Sequence, residues 1–184
     1  TPNYMTSAQL KELNRASGAI GNHKFNHVIL GDATEAVQRQ ELSWCYDWLN
    51  DSELGNCPGY IIYPQGNYNQ ATLDIVRTKY AIGRTVKEGM ITPTADKTQL
   101  KIINLLPTVT AETVKKYIDR ATTDGVGVIF LMHRLQDAEP DANTPTTLWV
   151  TSRREEVIDY ARMRGAPVMN LQRFVTGFLK DSEE

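Results

Sequence analysis

Cysteine and histidine are both scarce in this chain of 184 residues, with two of the first and three of the second. Two cysteines, Cys45 and Cys57, exclude a disulfide-built scaffold; they suit one bridge closing a short loop or two buried thiols, and free thiols are the favoured reading. No apolar run approaches bilayer length, since the longest, Val126 to Met132 around one glycine, is far too short to span a membrane. No Lys/Arg cluster occurs and the net charge is -2, which leaves no electrostatic footprint for nucleic acid. Repeats, low-complexity tracts and linkers are absent as well. The first residues do not read as a secretory leader and do not include an initial methionine, and Thr1-Pro2-Asn3 reads as a cut point inside something longer. Not one aspartate precedes His23.

What is present has the balance of an ordinary globular protein, 41% hydrophobic and 23% charged. The length suits a single domain over residues 1–184. Thr6 or Ser7 can cap a first helix with Leu10, Leu13 and Ala16 on one face, closed by Gly18. Ala19–Asn22 reads as a short strand. Asp32-Ala33-Thr34-Glu35 has the form of a capping box opening a helix to about Asn50, with Leu42, Cys45, Trp48 and Leu49 as its buried stripe. Trp44 and Trp48 read as packing residues, sugar stacking being the minority role.

Gly59–Tyr63 is a compact strand stopped by Pro64 and a tight turn. Asn69 caps a helix to about Lys79, and Tyr80–Ile82 and Leu100–Leu105 follow as strands. Thr110 opens a helix with Val114, Tyr117, Ile118 and Ala121 inward, closed by Gly125. Val126–Met132 is apolar on both faces, as a covered parallel strand would be, and ends in His133. Ser152 to Glu155 forms a second capping box, with Arg153 and Arg154 as a solvated face. A short strand at Pro167–Asn170 and a helix from Gln172 to Leu179 complete the chain. Thr85–Gln99 and Gln136–Thr147 read as surface loops. The alternation of strands and helices predicts an α/β domain with a parallel sheet.

Two of the three histidines, His23 and His27, stand four apart at the end of a short apolar run. That spacing lets two imidazoles reach one divalent ion if the segment is a helical turn. The plainer alternative is two solvent-facing loop histidines. The Pro64-Gln65-Gly66-Asn67-Tyr68 turn and His133 also follow strands. In parallel α/β folds ligands bind at those carboxyl ends, so the three features are expected on one rim.

The ordered set resembles the polysaccharide deacetylases, the NodB-homology carbohydrate esterases, from about Met5 to Leu179. Ile20–His27 is similar to the family's His-x-x-x-His metal motif. Tyr63–Asn69 is similar to its Tyr-Pro-x-Gly-x-Tyr-Asn motif, and Val128–Arg134 to its strand-terminal Leu-x-His motif. The resemblance implies an irregular, TIM-like (β/α) barrel. It also implies a hydrolase that removes N- or O-acetyl groups from a polysaccharide with a divalent metal, zinc or else cobalt or nickel. On that footing His23 and His27 are metal ligands and His133 is the general acid. The backbone N–H of Gln65 is the oxyanion donor, and Tyr63, Pro64 and Tyr68 shape the substrate rim. An acetylated polysaccharide is the implied partner, at an extracellular or cell surface.

Three departures qualify the resemblance. The family's Thr-Phe-Asp-Asp-Gly motif, source of the third ligand and the general base, has no counterpart here. Barrels of this kind run to roughly 200–250 residues, so the chain is expected to be the larger carboxyl-terminal part of the domain, its first strand and aspartates lying on a preceding segment. Lys24 replaces the usual Ser or Thr and puts a cation near the metal, and Gln65 replaces the usual Tyr. Two other readings compete. One is a non-catalytic carbohydrate-binding or assembly domain of a larger surface or virion protein. The other is a structural zinc site completed by Cys45 and Cys57.

Overall fold

The structure is a computed structural model that describes residues 4–16, 18–52, 54, 59–141, 144–145 and 147–180. Cys57 and the Thr1-Pro2-Asn3 segment lie outside the described residues. The elements run α1 (Ser7–Arg15), α2 (Glu35–Asp51), β1 (Tyr60–Ile62), α3 (Gln70–Lys79), β2 (Ile82–Glu88), β3 (Leu100–Asn104), α4 (Ala111–Asp124), β4 (Phe130–Leu131), β5 (Arg134–Gln136), β6 (Leu148–Val150), α5 (Thr151–Met163) and α6 (Leu171–Gly177). They group into two compact units. Unit 1 is Thr1–Val86, Ala95–Leu100 and Asn170–Leu179, and unit 2 is Lys87–Thr94, Lys101–Met169 and Lys180–Glu184. No helix among the described residues is long and apolar enough to cross a membrane.

In unit 1, β1 and β2 pair in parallel with Tyr60 opposite Ile82. The connection is α3, whose start is fixed by a reciprocal cap: Thr72 N–H donates to Asn69 Oδ1 and Asn69 N–H to Thr72 Oγ1. Leu30, Leu42, Ile61, Tyr63, Leu73 and Val76 form the apolar centre under these strands. Each such aliphatic side chain contributes about 1.5–3 kcal/mol by leaving water. In unit 2, β3 pairs in parallel with β4, and β5 with β6. Trp149, 1% exposed, anchors the packing of α4 against α5, its indole N–H donating to Val109 O at 2.9 Å. Gly125 closes α4 in the left-handed region at φ 64, as a glycine past the last turn should.

Several expectations need correction. The face predicted for α1 is not buried: the helix carries no buried residue, and Leu13 is exposed. Ala19–Asn22 is no strand but a single parallel bridge of Asn22 to Ile61. The cap of α2 is Thr34, two residues after Asp32, and its buried stripe is Gln38, Glu41, Leu42 and Leu49. Trp44 and Trp48 are exposed, and Cys45 is half-buried. The predicted strand Val126–Met132 shortens to Phe130–Leu131 and is half-buried rather than covered on both faces. α5 begins at Thr151 without a side-chain cap, so Ser152 does not open it. Arg153 is not a solvated residue either, since its guanidinium donates to Pro107 O and Val109 O and meets Glu139. Arg154 Nε is buried without a partner. Pro167–Asn170 is irregular, and β5 and β6 stand at the ends of a stretch expected to be loop throughout.

Candidate active site

The site in unit 1 is built where the chain leaves the Asn22 bridge. Asn22 N–H donates to Tyr60 O at 2.6 Å and Ile62 N–H to Asn22 O at 2.8 Å, so the segment enters beside β1. Gly21 allows this approach, because a Cβ there would lie 2.1 Å from Ile62 Cδ1. Asn22 itself is fully buried. Its Nδ2 donates to Leu42 O and Tyr80 Oη, and its Oδ1 accepts from Lys24 N at 2.8 Å. The last bond turns the backbone through Lys24 at φ 68.

His23 and His27 are therefore on a loop, not a helical turn, and the loop still brings them together. Their ring centroids are 5.1 Å apart, edge to face. His23 Nδ1 lies 2.8 Å from Ile62 O. A carbonyl only accepts, so Nδ1 carries the proton and the neutral ring presents the Nε2 lone pair. Burial pushes the His23 imidazole below its usual range, and charge at His27, Arg84 and Lys24 adds to this, while the Ile62 bond opposes it. A neutral imidazole is the form that binds a metal.

Glu41, 4% exposed on α2, clamps the middle of the loop. One carboxylate oxygen accepts from Asn26 N–H and the other from Asn26 Nδ2, both at 2.7 Å. Lys24 is buried with an unpartnered Nζ; burial depresses its pKa and the Glu41 charge raises it. Burial raises the Cys45 thiol, and the His23 and Lys24 backbones facing the sulfur offset this in part. Cys45 is a free thiol, and no group of three or more His, Cys, Asp or Glu suited to a metal occurs among the described residues. Phe25 and Trp44, both exposed, meet edge to face at 5.8 Å beside the pair.

The turn after β1 is the second part of the site. Tyr63 is fully buried, its hydroxyl donating to Thr98 O at 2.9 Å and its ring 4.6 Å from that of Tyr68. Tyr68 donates in turn to Gln99 Oε1. Pro64 is buried, and Gly66 N–H and Asn67 N–H close the turn on Tyr63 O and Pro64 O. The Gln65 N–H takes no part in those two bonds. Gln65 is exposed and left-handed at φ 53. Among the described residues the non-glycine positions with positive φ are Lys24, His27 and Gln65, all within these two loops. Strain of this kind, about 1–3 kcal/mol each, collects at functional sites.

His133 lies in unit 2, exposed, between β4 and β5. Sequence reasoning located the histidines and the turn but missed Asn22, Asn26 and Glu41. An Asn-x-x-x-Asn framing the first histidine was the signal available for the first two.

Comparison with known proteins bears on the fold and on the amino-terminal part of the chain. The polysaccharide deacetylase family model matches residues 3–81. No curated protein sequence matches. Among solved structures, a Streptococcus pyogenes deacetylase, PplD, in complex with acetate is 31% identical with a TM-score of 0.57, the similarity covering 61% of this chain and 50% of that one. The chain thus spans half the length of that structure. The Bc1960 peptidoglycan N-acetylglucosamine deacetylase shares the fold, at 14% identity and a TM-score of 0.54 over 97% of this chain and 71% of that chain. The mixed α/β architecture with parallel strands is that of the deacetylase structures, and residues 3–81, which hold the histidine pair and the Tyr-Pro turn, are similar to the polysaccharide deacetylase family.

Proposed function

We propose that this chain is the greater part of a metal-dependent deacetylase domain that removes acetyl groups from a polysaccharide at an extracellular or cell surface. The observation that carries this reading is the His23–His27 pair, 5.1 Å apart, with the His23 tautomer set by Ile62 O immediately before the Tyr63-Pro64 turn. Two imidazoles, one locked with Nε2 free, suit two of the ligands of a divalent ion such as zinc; the third, an aspartate, and the general base would come from a preceding segment of the same protein. The ion when bound would supply Lewis acidity and an activated water. The chain's own residues carry the rest. The Gln65 N–H would donate to the carbonyl oxygen as charge develops on it, held there by the Pro64 turn. His133 would deliver a proton from its ring to the departing amine or alkoxide. Tyr63 and Tyr68 would hold the rim in shape, Tyr63 from beneath.

The test is acetate release from N- and O-acetylated glycan oligomers by the whole protein with zinc content measured alongside. His23→Ala and His27→Ala should each lower metal affinity and turnover by about 10–100-fold or more. His133→Ala should lower kcat by about 100-fold or more with metal content unchanged. A wild-type protein that binds the glycans and releases no acetate would overturn the enzymatic reading in favour of a binding module.

A further inference from the structure

Unit 1 has a concave site away from the histidine loop, a cavity of about 530 Å³. It is lined by Asn14 and Arg15 from the end of α1 and by Asn170, Gln172, Arg173 and Thr176 of the α6 region. The volume is within the range of small-molecule sites. Among the described residues its wall holds two guanidiniums, amides and a hydroxyl, and no carboxylate.

The arginines set this cavity apart from the other helices. On the other helices each arginine has an acidic partner: Arg39 with Glu35, Arg77 with Asp74 and Asp96, Arg120 with Asp124, Arg153 with Glu139, Arg154 with Glu155 and Arg162 with Asp159. Arg15 and Arg173 have none among the described residues, although the chain carries more acids than bases. They come from opposite ends of the sequence and meet at one concavity. Two fork-shaped cations with amide donors around them and no internal counter-charge are complementary to an oxyanion, which a guanidinium can bind through two parallel hydrogen bonds.

We propose that this cavity binds an oxyanion, the phosphate or carboxylate group of a sugar polymer. Oxyanion binding stands on the cavity alone; the polymer as its source rests on the deacetylase reading. The test follows the arginine Nε–H resonances of the whole protein during titration with inorganic phosphate, then with glycerol-phosphate oligomers and with uronate oligomers. Arg15 and Arg173 should shift together and saturate while Arg162 stays still. Arg15→Gln or Arg173→Gln should weaken binding about ten-fold or more, with Arg15→Lys retaining part of it. Tighter binding of one oligomer than of the free anion identifies the source as phosphate or carboxylate. Shifts spread evenly over the exposed arginines, or undiminished binding by both Gln variants, would overturn the site. Binding of inorganic phosphate but of neither oligomer would overturn the polymer assignment. His27→Ala should leave phosphate binding unchanged while removing acetate release, so a failed deacetylase reading and a failed anion site give different results.

Discussion

Glu41 shows how much of this site depends on a side chain that touches neither histidine ring in a bond. Its carboxylate is almost wholly buried, and both its oxygens are spent on Asn26, which sits between His23 and His27. Hydrogen bonds to a charged acceptor contribute about 1.5–3 kcal/mol. Glu41→Ala should therefore cost about 2–3 kcal/mol in denaturant unfolding, and Glu41→Gln, which keeps one acceptor oxygen, about half that. A positioning role makes a further demand. In the metal-free protein the nuclear Overhauser contact between the two imidazoles should persist in wild type and Glu41→Gln and disappear in Glu41→Ala. If the contact survives in Glu41→Ala at full strength, the clamp stabilises the fold without setting the pair. The histidines were legible in the sequence because only three exist and two stand close together. Glu41 was not, since on a helix it reads as one more solvated acid until the loop above it is in place.

At the level of elements, the turn at Asp96 supports the Tyr63-Pro64 loop from beneath. Asp96 Oδ1 accepts from Thr98 N–H at 2.8 Å and Thr98 Oγ1 at 2.6 Å, while Oδ2 accepts from Gln99 Nε2 and Arg77. Thr98 O then receives the Tyr63 hydroxyl. Burial by itself would raise the Asp96 carboxyl, but the bonds from Thr98, Gln99 and Arg77 outweigh it and hold the group below the usual carboxylate range. The unfolded chain accordingly takes up this proton at higher pH than the folded one. The contribution to stability is complete above the unfolded value, about 3.9, and is lost as pH falls through the lower folded value. Asp96→Asn should be less stable than wild type at pH 7, with the gap closing below about pH 4 in denaturant titrations. A gap that is constant with pH would show that the charge at Asp96 is not what holds the turn. Elements with a full local signature were readable: α3 starts at its Asn69 cap and α4 ends at Gly125, as expected. β5 and β6 have three residues each, too few for a period of two to show, and neither was expected, although Trp149 on β6 is buried. The strand expected before His133 failed for the opposite reason. Its apolar run is long, but only Phe130 and Leu131 find ladder partners on β3.

For the molecule as a whole, the α/β class was legible because strand and helix alternate, and the resemblance to the deacetylases because the motifs come in order. The division into two units was not, since no composition shift marks it. The chemistry raises a question of completeness at the same scale. On the proposed reading His23 and His27 would give two nitrogen ligands, and no group of three or more His, Cys, Asp or Glu suited to a metal occurs among the described residues. Two imidazoles fix an open ion weakly compared with three protein ligands, because each added ligand binds within a site already assembled. If the missing ligand lies on a preceding segment, the whole protein should hold one zinc per chain, and replacing an Asp-Asp pair that closes an upstream apolar run should lower the affinity about ten-fold or more. His23→Ala and His27→Ala should lower it as far, and the upstream and loop variants combined should add little, since all three side chains would serve one ion. Competition with a chelator of known affinity measures each step. Full zinc affinity after the upstream acids are replaced would place the third ligand inside residues 1–184 and remove the need for any outside segment.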